Sequence, residues 1–142
     1  MTEFVFGKDR IQVDVESTRD WYRVHKDLEG RCTCAYCRNF NAALPLLPQE
    51  VGRFLEPLGL TMERPAEVME WCKEADGRHW YTALYHLVGE LLEEGDVPKE
   101  IAPGVTVSFL EDKGPFLEGF PKPFFQLFLD LHLPWVLEET DE

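Results

Sequence analysis

The feature that most constrains the fold is a run of apolar residues at strict period two late in the chain. Apolar side chains occupy every second position from Phe125 to Leu133. The polar residues on the alternate positions include Gln126, Asp130 and His132. Because successive side chains of a strand point to opposite faces, this alternation predicts a β-strand with one buried and one solvated face. Pro134 follows and ends the pairing, because proline donates no backbone hydrogen bond.

Other segments also predict strands. Residues 11–15 and 105–109 alternate in the same way, and residues 4–6 form a short strand before the first of these. Asp76-Gly77 is a hairpin signal, and the segment 79–92 that follows it fits a strand or a helix. We favour the strand, because this segment is rich in aromatic and β-branched residues.

Two shorter segments allow alternatives, and two others predict helices. Residues 21–25 fit a strand or a helical turn capped by Ser17, and residues 65–71 fit a helical turn or the start of a strand. A helix is predicted over 39–47 and a clearer one from Pro48 to Leu58, with Gly59 in the left-handed conformation at its end.

The order of these elements predicts the fold class. Strands at both ends with helices between them indicate an α+β fold, with a mainly antiparallel sheet and two or three helices packed on one face. The length of 142 residues fits a single domain over 1–142 with an acidic C-terminal tail at 138–142. Hydrophobic residues make up 44% of the chain, which is enough to build a core.

The charge of the chain limits its partners. There are 27 acidic and 14 basic residues, so the net charge is −13. Such a surface repels nucleic acid and anionic lipid headgroups, and it attracts a basic protein. The first residues do not form a signal peptide and no apolar run is long enough for a membrane span, so we expect a cytoplasmic protein that binds neither nucleic acid nor membranes.

Cysteine provides the one concentrated chemical feature of the sequence. The four cysteines are Cys32, Cys34, Cys37 and Cys72. In a reducing cytoplasm such residues bind metal, carry out redox chemistry or simply pack. A C-x-x-C turn lets two sulfur atoms converge on one ion, so the four thiols form a candidate zinc site, with His25 or His79 as substitute ligands.

Two other interpretations use the same cysteines. In the redox interpretation Cys34 lies at a helix start, where the dipole favours its thiolate, and Cys37 resolves a mixed disulfide. In the other, the cysteines are reduced thiols that act as small apolar residues. We favour this last interpretation, in which no cofactor is bound.

The sequence contains neither of two common catalytic motifs. Ser17 and Ser108 lie outside any G-x-S-x-G sequence and no H-E-x-x-H is present, so no catalytic residue is predicted. Asp130 and His132 share one face of the last strand and suit a pocket or a solvated face. The aromatic content of 13% suits the packing of a twisted sheet, which we favour, or a groove for a partner.

Four short motifs occur in a distinctive order. They are CAYCRNF at 34–40, RPAEV at 64–68, YHLVG at 85–89 and LPWVL at 133–137. In this order the chain resembles a family of uncharacterised bacterial proteins over residues 11–137. The resemblance implies a shared fold and a bacterial origin, and it supports a strand at 85–89. It implies no activity.

Together these features predict a non-enzymatic cytosolic protein that binds another protein. Its most concrete form is an inhibitor or immunity-type partner of a basic toxin, because complementary charge speeds capture. The alternative is a small zinc-binding or thiol-redox protein centred on Cys32, Cys34, Cys37 and Cys72.

Overall fold

The computed structural model describes residues 1–25, 33–95, 98–111 and 117–140. Its α-helices are α1 (Val15–Val24), α2 (Ala35–Ala43) and α3 (Gln49–Leu55), with 3-10 turns at Leu44–Leu46 and Glu56–Leu58. Its strands are β1 (Thr2–Phe6), β2 (Asp9–Val13), β3 (Glu67–Lys73), β4 (His79–Glu93), β5 (Lys99–Ala102), β6 (Val105–Leu110) and β7 (Phe124–Leu133). The predicted α+β fold is confirmed.

The strands form one antiparallel sheet built around β4. The order is β1-β2-β4-β7-β6-β5, and β3 also pairs with β4. One edge of β4 pairs with β7 over residues 79–88. The other edge pairs first with β3, over residues 79–84, and then with β2, over residues 89–93. The segment 79–92 is therefore a strand, as predicted.

The inner face of the sheet carries the hydrophobic core. Tyr81 and Tyr85 of β4 are fully buried there beside the alternate apolar residues of β7. Helix α2 packs on this face through Phe40, whose ring centre lies 5.7 Å from that of Tyr81. Helix α3 contacts the sheet at β1, where the ring centre of Phe54 lies 4.9 Å from that of Phe6. The period-two pattern of β7 is thus explained by helices on one side.

The outer face is only partly covered. At one end Phe120 packs on Trp21 of α1 and on His86, with ring centres 4.9 and 5.3 Å apart. His86 and Gln126 are fully buried beneath this cover. The expectation that the polar face of β7 is solvated is therefore wrong at Gln126. At the other end, around Asp130, the face stays partly open.

Helix α1 covers a stretch of the β4 edge that neither β3 nor β2 reaches. Between the end of β3 and the start of β2, the backbone of β4 is paired by side chains of α1. The Tyr22 hydroxyl accepts from the His86 N–H at 2.9 Å and lies 3.2 Å from the His86 carbonyl. The Thr18 hydroxyl accepts from the Val88 N–H at 3.0 Å. These contacts satisfy backbone groups that would otherwise be buried without a partner.

Gly89 marks the point where β4 begins to pair with β2. Its φ angle is 145°, which L side chains rarely adopt. A Cβ atom at this position would lie 1.9 Å from the Gln12 carbonyl oxygen. Only glycine allows the two strands to approach this closely.

Several local predictions need correction. Helix α1 is capped by Asp14, whose carboxylate accepts from the Ser17 N–H at 3.1 Å, so Ser17 is not the cap. The helix expected over 39–47 runs from Ala35 to Ala43 instead, because Pro45 turns the chain into a 3-10 turn. The alternatives at 21–25 and 65–71 resolve as helix and strand respectively, and the four-residue strand β5 was not expected.

Candidate functional site

Two tryptophans lie side by side on the open part of the outer face. Trp71 lies at a bulge in β3, where the register against β4 shifts between Glu70 and Cys72. Its ring centre is 5.6 Å from that of Trp80 on β4, with 35° between the ring planes. The two side chains are 53% and 37% exposed, which is high for tryptophan.

The exposed rings are held in place by hydrogen bonds. The Trp71 indole N–H donates to the Thr82 hydroxyl at 2.7 Å. Thr82, almost fully buried beneath the rings, donates in turn to Oδ1 of Asp130 on β7. The Trp80 indole N–H is directed at the same oxygen, at 3.4 Å. We call these four residues the tryptophan face: Trp71, Trp80, Thr82 and Asp130.

His132 lies on the same strand face as Asp130 but has a different partner. Its Nδ1 is 2.5 Å from the Glu74 carboxylate, which ties β7 to the end of β3. It also lines a cavity of about 260 Å³ with Arg78 and Gly104. The structure therefore places Asp130 and His132 on one face, as the alternation predicts, and gives them separate contacts.

A second cluster of polar groups lies at the end of the inner face. His79 is 1% exposed, and its Nδ1 lies 2.7 Å from the Glu70 carboxylate. The rings of Tyr36 and Trp135 lie 6.1 and 5.1 Å from the His79 ring, centre to centre. The Tyr81 hydroxyl donates to the Tyr36 carbonyl at 2.9 Å, which joins this cluster to α2.

Electrostatics connect this cluster to two of the cysteines. Burial raises the pKa of Tyr81 to about 12, and the negative charges of Glu70, Cys37 and Cys34 act in the same direction. Cys34 is the N-cap residue of α2, at the helix start that the redox interpretation assumes, and its side chain is exposed. Cys37 is half-buried in the first turn.

The other candidate ligands are dispersed. Cys72 is exposed on β3 in register with Trp80, so it lies toward the outer face, whereas α2 packs on the inner one. His25 stacks on Trp21 with 3.8 Å between ring centres. Cys32 lies outside the described residues. Among the residues that are described, no group of three or more His, Cys, Asp or Glu side chains is arranged to hold a metal ion.

The pairing of Trp71 with Trp80 was not predicted, although the sequence carries a signal for it. Trp71 lies five residues before Asp76, and Trp80 lies three residues after Gly77. A two-residue turn at this position would place Trp71 opposite Thr82, which makes Trp80 a diagonal neighbour on the same face. The bulge at Trp71, which brings the two rings onto one face, has no such signal.

Comparisons of the chain with protein-family models, with curated proteins and with solved structures found no match. Within the described residues, no helix has both the length and the apolar composition needed to span a bilayer.

Proposed function

We propose that this protein binds another protein, one with a basic surface, through the tryptophan face. The observation that carries the proposal is the pair of adjacent, exposed tryptophans whose indole N–H groups are directed at Thr82 and Asp130. Tryptophan is among the residues that contribute most to binding at protein interfaces. Rings already held in one orientation lose little conformational entropy when a partner covers them.

The charge of the chain supports a basic partner. With a net charge of −13, the protein attracts cationic surfaces over a distance set by the ionic strength. Asp130 brings one negative charge directly beside the indole rings. An inhibitor or immunity-type partner of a basic toxin is the most concrete form of this function, because complementary charge speeds the encounter of two proteins.

The test begins with capture of the partner from the native host and continues with purified components. The Trp71→Ala, Trp80→Ala double variant removes the rings. Leu46→Ala is the matched control, because Leu46 is 63% exposed, lies in the 3-10 turn after α2 and is not one of the four residues of the face.

We expect a basic partner whose Kd increases about tenfold or more, or about 1.4 kcal/mol, in the double variant. The Kd is unchanged in Leu46→Ala, and it increases with salt for every form of the protein. The absence of a saturable partner at moderate salt contradicts the proposal, as does a partner whose affinity is the same for the double variant and the wild type.

The alternative function is zinc binding or thiol redox chemistry, and one observation favours a version of it. The Glu70 carboxylate lies 2.7 Å from His79 Nδ1, and metal-binding histidines are commonly oriented by such a carboxylate. His79 also lies in ring contact with Tyr36, between Cys34 and Cys37 in the sequence. In this version His79 replaces Cys72 among the ligands, a substitution that the sequence also allows.

Metal analysis of protein purified without chelator tests this alternative. A zinc site formed with His79 requires about one equivalent of zinc in the wild type and in Cys72→Ser. It also requires loss of the metal in Cys34→Ser and in His79→Gln. Less than about half an equivalent in the wild type, with all four thiols titrating, eliminates a structural zinc site.

A further inference from the structure

We propose that the tryptophan face binds an arginine side chain of the partner, with its guanidinium group against the indole rings and paired with Asp130. This inference rests on the proposed function, because it names the chemical group that the face recognises. Three properties of the face support it: the orientation of the rings, the position of the carboxylate and the partners of the nearby basic residues.

The rings present their hydrocarbon surface to solvent. The N–H group of each indole is directed at a residue of the protein, Thr82 for Trp71 and Asp130 for Trp80. With 53% and 37% of their surface exposed, the two side chains leave aromatic surface open to a ligand. A cation is attracted to the face of an indole by the quadrupole of the ring, and tryptophan is the strongest of the aromatic residues in this respect.

The carboxylate of Asp130 has one oxygen committed and one available. The hydroxyl of Thr82 and the indole N–H of Trp80 are both directed at Oδ1. Within the part of the chain that the structure describes, Oδ2 has no hydrogen-bond or ion-pair partner. The carboxylate of this half-buried residue, beside exposed rings, favours a ligand that brings its own positive charge and donors.

Two basic residues close to the face in sequence already have partners of their own. His132, two residues along β7, contacts Glu74 at 2.5 Å. Arg78, at the hairpin between β3 and β4, pairs with Asp76 at 2.8 Å. Neither of these residues pairs with Asp130, so its carboxylate is open to the cation of a ligand.

Arginine fits this arrangement better than lysine. Its guanidinium group is planar and weakly hydrated, so it stacks on an aromatic ring while its N–H groups remain directed at a carboxylate. An ammonium group is a compact and strongly hydrated charge, and it loses more hydration when it enters the same position. An uncharged side chain leaves the Asp130 carboxylate covered and unpaired.

The test is a titration followed by NMR on ¹⁵N-labelled protein. The four indole N–H signals are assigned with single Trp→Phe variants. The probe is a short glycine-spaced peptide that contains arginine. The matched controls are the same peptide with lysine and with citrulline, which has nearly the shape of arginine without its charge.

We expect the arginine peptide to shift the Trp71 and Trp80 signals saturably and to leave those of Trp21 and Trp135 in place. The lysine peptide binds more weakly, and the citrulline peptide causes no saturable shift. Asp130→Asn increases the Kd of the arginine peptide about tenfold, because the charge-assisted contact is lost. Asp20→Asn, which removes the same charge from the exposed surface of α1, changes the affinity less than about twofold.

Three outcomes overturn the inference: equal shifts with citrulline, shifts spread over all four indole signals, and an affinity that Asp130→Asn leaves unchanged in protein whose remaining spectrum is native. Its failure is distinguishable from failure of the proposed function. A partner whose affinity depends on the tryptophans, combined with no response to the arginine peptide, refutes the arginine site and leaves the protein-binding function standing.

Discussion

Three buried tyrosine hydroxyls direct their hydrogens to backbone carbonyls, a role that only the neutral phenol can fill. Tyr81 and Tyr85 donate at 2.9 Å, to the carbonyls of Tyr36 and Met62. Tyr22 lies 3.2 Å from the His86 carbonyl. Burial raises the pKa of all three side chains, that of Tyr81 to about 12. The fold therefore holds these groups protonated well above the usual range of tyrosine.

We predict that the protein loses stability in alkali as these tyrosines ionise. In the unfolded chain a phenol titrates near pH 10, whereas in the folded chain the pKa of each of the three is higher. The stabilisation is therefore fully present below about pH 10 and is lost as the pH rises through the folded pKa values. Tyrosinate absorbance and denaturation across this range measure the effect.

The control for the alkaline titration is Tyr85→Phe. It removes one of the three buried phenols and lowers the amplitude of the high-pH absorbance step by about a third. Ionisation of all four tyrosines of the native protein in one step near pH 10 contradicts the prediction.

The role of Asn39, like that of the buried tyrosines, depends on specific hydrogen bonds and not on the hydrophobic pattern of the sequence. It is fully buried in α2, where its Oδ1 accepts from the Val136 N–H at 2.8 Å and its Nδ2 donates to the Pro134 carbonyl at 3.1 Å. These two bonds hold the segment after β7 against the helix. Nothing in the sequence separates Asn39 from Asn41, which is exposed on the same helix.

We predict that Asn39→Ala lowers the free energy of unfolding by about 2 to 3 kcal/mol, because two backbone groups lose their partner. Asn41→Ala, the matched control, changes it by less than about 0.5 kcal/mol. Denaturant unfolding of the two variants compares them directly. Equal stability of the two variants is the result that this account does not allow.

At the scale of elements, α1 acts as a short replacement for a strand. The hydroxyls of Thr18 and Tyr22 pair with the backbone of β4 between the segments covered by β3 and β2. This role was not predictable, because residues 21–25 fit a strand as well as a helix and the true cap is Asp14. Strands with regular alternation, such as β7, were predicted well, whereas the four-residue β5 gives too short a pattern to recognise.

We predict that Thr18→Val and Tyr22→Phe each destabilise the protein by about 1 to 3 kcal/mol, because each leaves a buried N–H of β4 without its acceptor. Amide exchange at Val88 accelerates in the first variant and at His86 in the second. Arg19→Ala, which alters an exposed side chain of the same helix, leaves both amides protected. Unchanged exchange at these amides in the two variants contradicts the role assigned to α1.

For the whole molecule, the determining feature is that β4 pairs with two different strands along one edge. The change of partner takes place next to Gly89, where the carbonyl oxygen of Gln12 leaves no room for a side chain. The sequence places Gly89 inside an apolar strand but does not indicate which strand lies against it. Pairing across 76 residues is decided by the whole core rather than by local pattern.

We predict that Gly89→Ala destabilises the protein by at least about 3 kcal/mol, because it combines an unfavourable φ angle with a backbone clash. Gly77→Ala is the control. Gly77 also has a positive φ angle, 90°, but nothing lies within 4 Å of an added Cβ, so the expected cost is only about 1 to 2 kcal/mol. Thermal unfolding of both variants separates the cost of the backbone clash from the cost of the positive φ angle. A similar loss of stability in the two variants would show that the clash at residue 89 is relieved.

The candidate sites illustrate the same limit on sequence reasoning. The C-x-x-C spacing identified Cys34 and Cys37, but whether another ligand reaches them depends on which face of the sheet each side chain occupies. Trp71 and Trp80 were noted only as part of a high aromatic content. Their pairing on the outer face depends on a bulge, whose one extra residue shifts the register of β3 against β4.

The position of β7 in the chain has a consequence for synthesis in the cell. This strand lies between β4 and β6 and pairs with both, yet it is translated after both of them. Until residues 124–133 emerge from the ribosome, two largely apolar strands have open edges facing each other across an empty position. Such edges promote aggregation. We therefore expect the nascent chain that ends before Phe124 to be the form of this protein most prone to aggregate.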